Sequence, residues 1–151
     1  MSNEASKKTF LVINGPNLNL LGKREPEIYG ADTLESIQEY TEEKLKNYPI
    51  SMDWFQSNIE GEIVERIHLA IGCEKNVSSI IINPGAYSHT SIAILDALKC
   101  FKGSIVEVHL SNTHVREEFR KERITVNAAD AIIEGVGKKA YYLGILSQIE
   151  N

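Results

Sequence analysis

The sequence has no apolar run long enough to cross a lipid bilayer. Its polar start, MSNEASKKT, lacks the apolar segment of a signal peptide. No stretch rich in proline, glycine or serine divides the 151 residues. These absences predict a cytoplasmic protein without a membrane partner. A chain of this length is expected to form one domain over residues 1–151, with residues 1–8 as a flexible N-terminus.

Positive charge is also scarce. Lysine and arginine total 16 against 21 acidic residues, which gives a formal net charge of -5. A general nucleic-acid binder needs a basic face to neutralise phosphates, so we expect no nucleic-acid partner. An anionic small molecule would have to be held by a local cluster of cations.

Cysteine and the common metal signatures are nearly absent. The two cysteines, Cys73 and Cys100, fall in apolar helical patterns without the spacing of zinc ligands. We expect both to be buried, reduced thiols. No grouping of carboxylates is typical of a magnesium site, and no Gly-x-Ser-x-Gly elbow is present. The residues that remain favour proton-transfer chemistry.

Short β-branched runs alternate with amphipathic helical patterns along the chain. Strands are predicted at residues 9–14, 51–56, 79–83, 104–110 and 130–134. Helices are predicted from a capping box of Asp32 and Glu35 to about Asn47, at residues 63–71, from residue 90 or 91 to 99, and from about residue 138 onward. This alternation predicts an α/β fold: a flavodoxin-like three-layer sandwich with a five-stranded parallel sheet.

Polar side chains follow the first four predicted strands. They occupy residues 14–19, 56–58, 83–89 and 109–114. Ligands of open α/β sheets bind at the carboxyl ends of the strands, so we expect these segments to form a site. The loop from Gly15 to Asp32 is too long for an ordinary strand-to-helix connection, and such loops usually act as lids or binding loops.

Two residues of this long loop, Arg24 and Tyr29, form a candidate pair. A loop tyrosine is more often a packing residue, because an unperturbed phenol with a pKa of about 10 is protonated at neutral pH. A nearby cation favours the phenolate. Lowering a phenol pKa by ~2 units needs about 2.7 kcal/mol, which one or two close cations can supply. Arg24 could therefore make Tyr29 a base.

A second candidate pair lies on the fourth strand. His109 alone has a simple interpretation as a hydrogen-bonding residue at the end of a sheet. Strand alternation, however, places Glu107 on the same side of the strand, where its carboxylate can hold the imidazole. A histidine held in this way suits a general acid.

Five separated stretches closely resemble the type II 3-dehydroquinate dehydratases and together span nearly the whole chain. They are residues 12–18 (VINGPNL), 24–30 (REPEIYG), 55–58 (FQSN), 83–91 (NPGAYSHTS) and 107–120 (EVHLSNTHVREEFR). The resemblance implies reversible anti dehydration of 3-dehydroquinate to 3-dehydroshikimate through an enolate, without a metal or an organic cofactor. The reaction would serve the shikimate pathway of aromatic amino acid biosynthesis or quinate breakdown.

The resemblance also implies residue roles. Tyr29 would remove the C2 proton, Arg24 would promote the ionised form of Tyr29, and Asn17 would stabilise the enolate through a bound water. His109 would protonate the departing C1 hydroxyl, with Glu107 as its orienting partner. The implied substrate-binding groups are Asn83 and the backbone amides of Leu110 and Ser111 at the carboxylate, and His89 and Arg120 at the ring hydroxyls.

The family resemblance further implies a homododecamer built as a tetramer of trimers, in which Asp96 reaches a neighbouring subunit's site. Two places depart from the family pattern. Residues 121–126 (KERITV) stand where many relatives carry a segment containing His-Ser, and Ile59 stands where a histidine is frequent. Neither place carries an implied catalytic role.

Other functions stay open at this point. A nucleotide-binding loop would need the Walker or Gly-x-Gly-x-x-Gly spacing, whereas Gly15-Pro16 indicates a tight turn. A receiver domain would need acidic residues where the chain has Asn14 and Asn83. A flavin carrier would need a phosphate loop rich in serine and threonine after the first strand, unlike NGPNLNLLG. A catalytically silent relative can be excluded only by an assay.

Overall fold

A parallel five-stranded sheet forms the middle layer of the fold. The computed structural model describes residues 7–72 and 76–149. The strands are β1 (Lys8–Asn14), β2 (Ile50–Gln56), β3 (Val77–Asn83), β4 (Ser104–His109) and β5 (Ala131–Glu134). They are arranged in the order β2-β1-β3-β4-β5, and every neighbouring pair is parallel. This sheet confirms the predicted flavodoxin-like architecture.

Helices cover both faces of the sheet. They are α1 (Pro26–Tyr29), α2 (Leu34–Leu45), α3 (Glu60–Ile71), α4 (Ile92–Lys99) and α5 (Lys139–Ile149). Successive strand residues point to opposite faces. Phe10 and Val12 of β1 therefore pack on the side of α2 and α5. Leu11 and Ile13 pack on the side of α3 and α4. Two apolar cores, one on each face, thus hold the sheet between its helices.

The start of α2 differs from the prediction. The capping box predicted for Asp32 and Glu35 is wrong, because Thr33 is the N-cap and Ser36 is the third helical residue. The Thr33 hydroxyl accepts a hydrogen bond from the backbone amide of Ser36 at 3.1 Å. The Ser36 hydroxyl accepts one from the backbone amide of Thr33 at 3.0 Å. Two hydroxyls satisfy two helix-end donors reciprocally, whereas Asp32 is left outside the helix.

The cysteine prediction is also wrong for Cys100, which is a free but exposed thiol. The buried positions of α4 are Ile94, Ala97 and Leu98, and the next buried residue is Phe101. Residue 100 falls between the members of this stripe and so faces outward. Cys73 lies outside the described residues, as do residues 1–6 of the predicted flexible N-terminus, whereas Lys8 already belongs to β1.

Short 3-10 helices fill several loops at the carboxyl edge of the sheet. They are Leu18–Leu20, Gly85–His89, Thr113–Val115, Glu118–Lys121 and Thr125–Ala128. The sequence periodicity did not predict these elements, because three to five residues are too few to show a period. Within residues 7–72 and 76–149, no helix has both the length and the apolar character to span a bilayer.

Candidate active site

A pocket opens at the carboxyl ends of β1, β3 and β4. Its lining includes most of the residues proposed from the sequence: Asn17, Arg24, Asn83, His89, His109, Leu110, Ser111 and Arg120. These residues lie at the ends of β1, β3 and β4 or in the three connections that follow those strands. Their convergence follows from the parallel sheet, because the carboxyl ends of all five strands lie at one edge.

Two described residues of the expected site, Glu107 and Asp96, are not part of this lining. Glu107 is fully buried and lies behind His109. Asp96 is exposed on α4. Tyr29 ends α1, within the long loop that carries Arg24, but its side chain lies outside the described part of the structure. The pocket of the single chain therefore includes the expected acid and substrate contacts, and the structure gives no position for the phenol.

The described pocket lining carries positive charge and no acidic side chain. Arg24, Arg116 and Arg120 all face it. Glu117 holds Arg120 in place: Arg120 Nε donates a hydrogen bond to Glu117 Oε2 at 2.7 Å. A hydrogen bond from the backbone of Glu117 itself and the nearby guanidinium of Arg120 hold the pKa of Glu117 below its usual range. In a chain of net charge -5, this concentration of guanidinium groups suits an anionic ligand.

Arg116 was missed as a site residue by the sequence reasoning. It lies four residues before Arg120 in the same resembling stretch, and only 11% of its side chain is exposed. Its Nη1 atom donates to the Ser111 hydroxyl at 3.5 Å. Its place in that stretch was the available signal, because Arg116 lies between the 3-10 helices Thr113–Val115 and Glu118–Lys121 and shares no helical spacing with Arg120.

The loops after β1 and β3 are packed closely together, and this contact positions Asn17. The Gly15 amide donates to the Asn83 carbonyl at 2.8 Å. A Cβ atom at position 15 would lie 2.3 Å from the Pro84 carbonyl oxygen, so only glycine fits there. Two residues later, Asn17 has a left-handed φ of 67°, which asparagine tolerates better than most residues. Its backbone N–H donates a hydrogen bond to Asn58 Oδ1 at 2.9 Å.

A buried hydrogen-bond network supports Asn83 from behind. Its Nδ2 donates to the Tyr141 hydroxyl at 3.1 Å, and its Oδ1 accepts the Gly85 amide at 3.2 Å. The Tyr141 hydroxyl donates in turn to Asn14 Oδ1. One Nδ2 hydrogen of Asn83 is used in this way, which leaves the second available to a ligand.

The predicted pairing of Glu107 with His109 is present. Glu107 Oε2 lies 2.8 Å from His109 Nε2, and both side chains are buried. The other carboxylate oxygen, Oε1, accepts the hydroxyl of Thr125. His109 Nδ1 makes no hydrogen bond to the described residues. A histidine with one nitrogen on a buried carboxylate and the other at a pocket is arranged for proton transfer to a ligand.

His89, at the end of the 3-10 helix Gly85–His89, lines the same pocket as His109. Its Nδ1 is 2.7 Å from the Glu122 carbonyl oxygen, to which it must donate. Burial lowers the pKa of His89. The hydrogen bond to the Glu122 carbonyl opposes this shift, and the positive charge of nearby Arg120 adds to it, so the pKa lies below its ordinary value. The ring is therefore neutral near pH 7, with Nε2 as a hydrogen-bond acceptor.

Comparison with known proteins gives one consistent family. The model of the family described as dehydroquinase class II matches residues 8–149. The 3-dehydroquinate dehydratase of Clostridium botulinum (strain Loch Maree / Type A3) is 53% identical over 136 residues, which cover 90% of each chain. The crystal structure of type II dehydroquinase from Butyrivibrio crossotus DSM 2876 superposes with a TM-score of 0.91 at 40% identity, over 97% of this chain and 99% of that one. The type II dehydroquinase structure from Propionibacterium acnes gives 0.89 at 35% identity, over 96% and 98%.

Proposed function

This chain belongs to the class II dehydroquinase family, and from that premise we propose that it dehydrates 3-dehydroquinate reversibly to 3-dehydroshikimate. The observation that carries the proposal is the pocket in which a carboxylate-bound His109 meets a lining of arginines without an acidic side chain. The substrate is a cyclic hydroxy-ketone acid. Its carboxylate matches the charge of the pocket, and its hydroxyl is a leaving group that needs a proton.

The proposed reaction is an anti elimination through an enolate. The Tyr29 phenolate takes the C2 proton, and the electrons of the broken C–H bond enter the enolate. Arg24 in the same loop favours the phenolate form. Asn17, fixed by its backbone contact with Asn58, stabilises the enolate through a water.

The second half of the elimination is assigned to His109. Its Nδ1 proton passes to the C1 hydroxyl, the C1–O bond breaks with its electrons on oxygen, and water departs. The Nε2 proton stays on the ring and remains hydrogen-bonded to Glu107. At the end of the turnover Tyr29 carries the proton from C2 and His109 is neutral, so exchange with solvent restores the starting state.

Substrate binding is proposed to use groups on both sides of the pocket. Asn83 and the backbone amides of Leu110 and Ser111 would hold the carboxylate, and His89 and Arg120 would hold the ring hydroxyls. Asn83 has one N–H left for this task after its bond to Tyr141. A site built to hydrogen-bond hydroxyls discriminates strongly against analogues that lack them.

We further propose that the enzyme is cytoplasmic and forms a homododecamer built as a tetramer of trimers, in which Asp96 reaches a neighbouring subunit's site. Its exposure on α4, beside Ile92, which is 61% exposed, is compatible with burial against a second copy. Light scattering after size exclusion tests the assembly, and Asp96→Asn tests the shared site. A fully active monomer would contradict both statements.

The reaction would serve the shikimate pathway or quinate breakdown.

The decisive experiment is ultraviolet absorbance of purified, metal-free protein mixed with 3-dehydroquinate. The conjugated enone acid of the product absorbs where the substrate does not. We expect a rise that persists in the presence of a chelator and that is reduced by about 100-fold or more in His109→Ala, the usual scale for loss of a general acid. No rise from folded, assembled protein would make the chain a catalytically silent member of the family.

A further inference from the structure

Thr125 lies in the segment where the sequence departs from the family pattern, and it carries no role in the resemblance. It opens the 3-10 helix Thr125–Ala128 and is fully buried. Its hydroxyl contacts Glu107 Oε1, while Glu107 Oε2 contacts His109 Nε2 at 2.8 Å. Three buried side chains from two separate segments therefore form one chain of hydrogen bonds that ends at the pocket.

The directions of these bonds are fixed by chemistry. An ionised carboxylate only accepts hydrogen bonds, so the Thr125 hydroxyl must donate to it, and so must His109 Nε2. No other described residue donates to Glu107. A carboxylate buried away from water needs a partner for each oxygen to retain its charge. Thr125 supplies one of the two hydrogen bonds that the described side chains make to this carboxylate.

We propose that Thr125 is a positioning residue for the acid step: it fixes the rotation of the Glu107 carboxylate and, through it, the tautomer and aim of His109. This inference rests on the proposed function, because it takes His109 to be the proton donor. Without the Thr125 hydroxyl, Glu107 can rotate, and the neutral His109 ring is no longer held with its proton on Nε2. Nδ1, the nitrogen proposed to carry the transferred proton, is then no longer aimed at the leaving hydroxyl.

The chain offers matched variants for a test. Thr125→Val exchanges the hydroxyl for a methyl group at nearly constant volume, and Thr125→Ser retains the hydroxyl. Thr41→Val makes the same exchange at another fully buried threonine, whose hydroxyl donates to the Ile37 carbonyl at 2.8 Å within α2. Thr41 is not part of the pocket lining.

We expect kcat of Thr125→Val to fall about 10- to 100-fold, the scale of losing one hydrogen bond to a charged group, with KM changed by less than about 2-fold. Thr125→Ser is expected to recover most of kcat, and Thr41→Val to keep it. If Thr125→Val does not fold, Thr125→Ser against Thr125→Ala gives the same comparison, because these two differ from each other only by the hydroxyl. Unchanged kcat in the variants that lack the hydroxyl would overturn the proposal.

A spectroscopic measurement separates positioning from a merely structural role. In protein labelled with 15N-histidine, the ring shifts of His109 report which nitrogen carries the proton. We expect one tautomer, protonated at Nε2, when His109 is neutral in the wild type, and a mixture in Thr125→Val. An unchanged pattern in a less stable variant would make Thr125 a structural residue only. If the wild type does not dehydrate 3-dehydroquinate, the proposed function fails, whereas this measurement still tests the control of His109 by Thr125.

Discussion

The hydroxyl of Tyr141 and the side-chain amide of Asn83 are joined by a buried hydrogen bond of 3.1 Å, in which Asn83 Nδ2 donates. Tyr141 comes from α5 and is completely buried, and burial raises the pKa of its hydroxyl, so it remains a donor. It donates to Asn14 at the end of β1. One phenol therefore connects the ends of two neighbouring strands and fixes which face of the Asn83 amide is presented to the pocket.

The first prediction concerns Tyr141→Phe. Removing the hydroxyl leaves Asn14 Oδ1 and one N–H of Asn83 without this buried partner. We expect the free energy of unfolding in urea to fall by about 1–3 kcal/mol, the cost of unsatisfied buried groups. Because Asn83 is proposed to hold the substrate carboxylate, we also expect KM to rise about 10-fold, with a smaller change in kcat.

Tyr142→Phe is the matched control, since Tyr142 is the next residue of α5 and no described residue bonds its hydroxyl. Its effect on stability should stay within about 0.5 kcal/mol. The single tryptophan, Trp54, lies 5.4 Å from Tyr141 between ring centroids, so its fluorescence checks that the local packing is intact. An unchanged KM in Tyr141→Phe would show that the network is not needed to orient Asn83.

The second prediction concerns Tyr29→Phe. Under the proposed mechanism the variant retains the ring but has no group that can take the C2 proton. We expect kcat to fall by at least about 100-fold, on the scale of general-base catalysis, while the product still binds in calorimetry. The exposed Tyr48, 37% accessible on the surface, provides Tyr48→Phe as a control of unchanged activity. Substantial turnover by Tyr29→Phe would reject Tyr29 as the base.

Local relationships in this site could be predicted from the sequence, and distant ones could not. Glu107 and His109 were paired correctly because strand alternation alone puts residues two apart on one face. The gathering of Asn17, Asn83 and His109 followed from the rule for strand ends in parallel sheets. Both inferences need only the secondary structure and the order of the strands.

The partners of those residues depend on tertiary packing. Tyr141 is 127 positions from Asn14, and nothing in the apolar pattern of α5 distinguishes its buried hydroxyl from an ordinary core contact. Thr125 reaches Glu107 through a 3-10 helix too short to show a period. The misplaced capping box has a different cause, because Asp32 and Thr33 are adjacent N-cap candidates and only the reciprocal hydroxyl of Ser36 decides between them.

The third prediction concerns pH and His89. Burial, reinforced by Arg120, lowers the pKa of His89 in the folded protein below the ordinary value of 6.5. The unfolded chain therefore binds the proton more readily, and unfolding becomes more favourable as the pH falls below 6.5. The loss stops growing once the pH is below the folded-state pKa, because His89 is then protonated in both states.

His89→Asn removes this titration and retains a side-chain donor for the Glu122 carbonyl. In urea unfolding from pH 7.5 down to pH 5, we expect the stability difference between the wild type and His89→Asn to shift against the wild type below pH 6.5. Parallel curves for the two proteins over that range would mean that folding does not perturb the titration of His89.

The last prediction compares two glycines to test the contact between the loops after β1 and β3. At Gly15 a Cβ atom would meet the Pro84 carbonyl oxygen at 2.3 Å, so Gly15→Ala must push the two loops apart. We expect a loss of about 1–3 kcal/mol, the usual cost of overpacking, and lower activity because Asn17 and Asn83 separate. At Gly61, in the first turn of α3, a Cβ atom would meet nothing within 4 Å. Gly61→Ala should therefore stabilise the protein by about 0.5–1 kcal/mol through helix propensity, with unchanged activity. A neutral Gly15→Ala would show that the loops can move apart without cost and that their contact does not position the site.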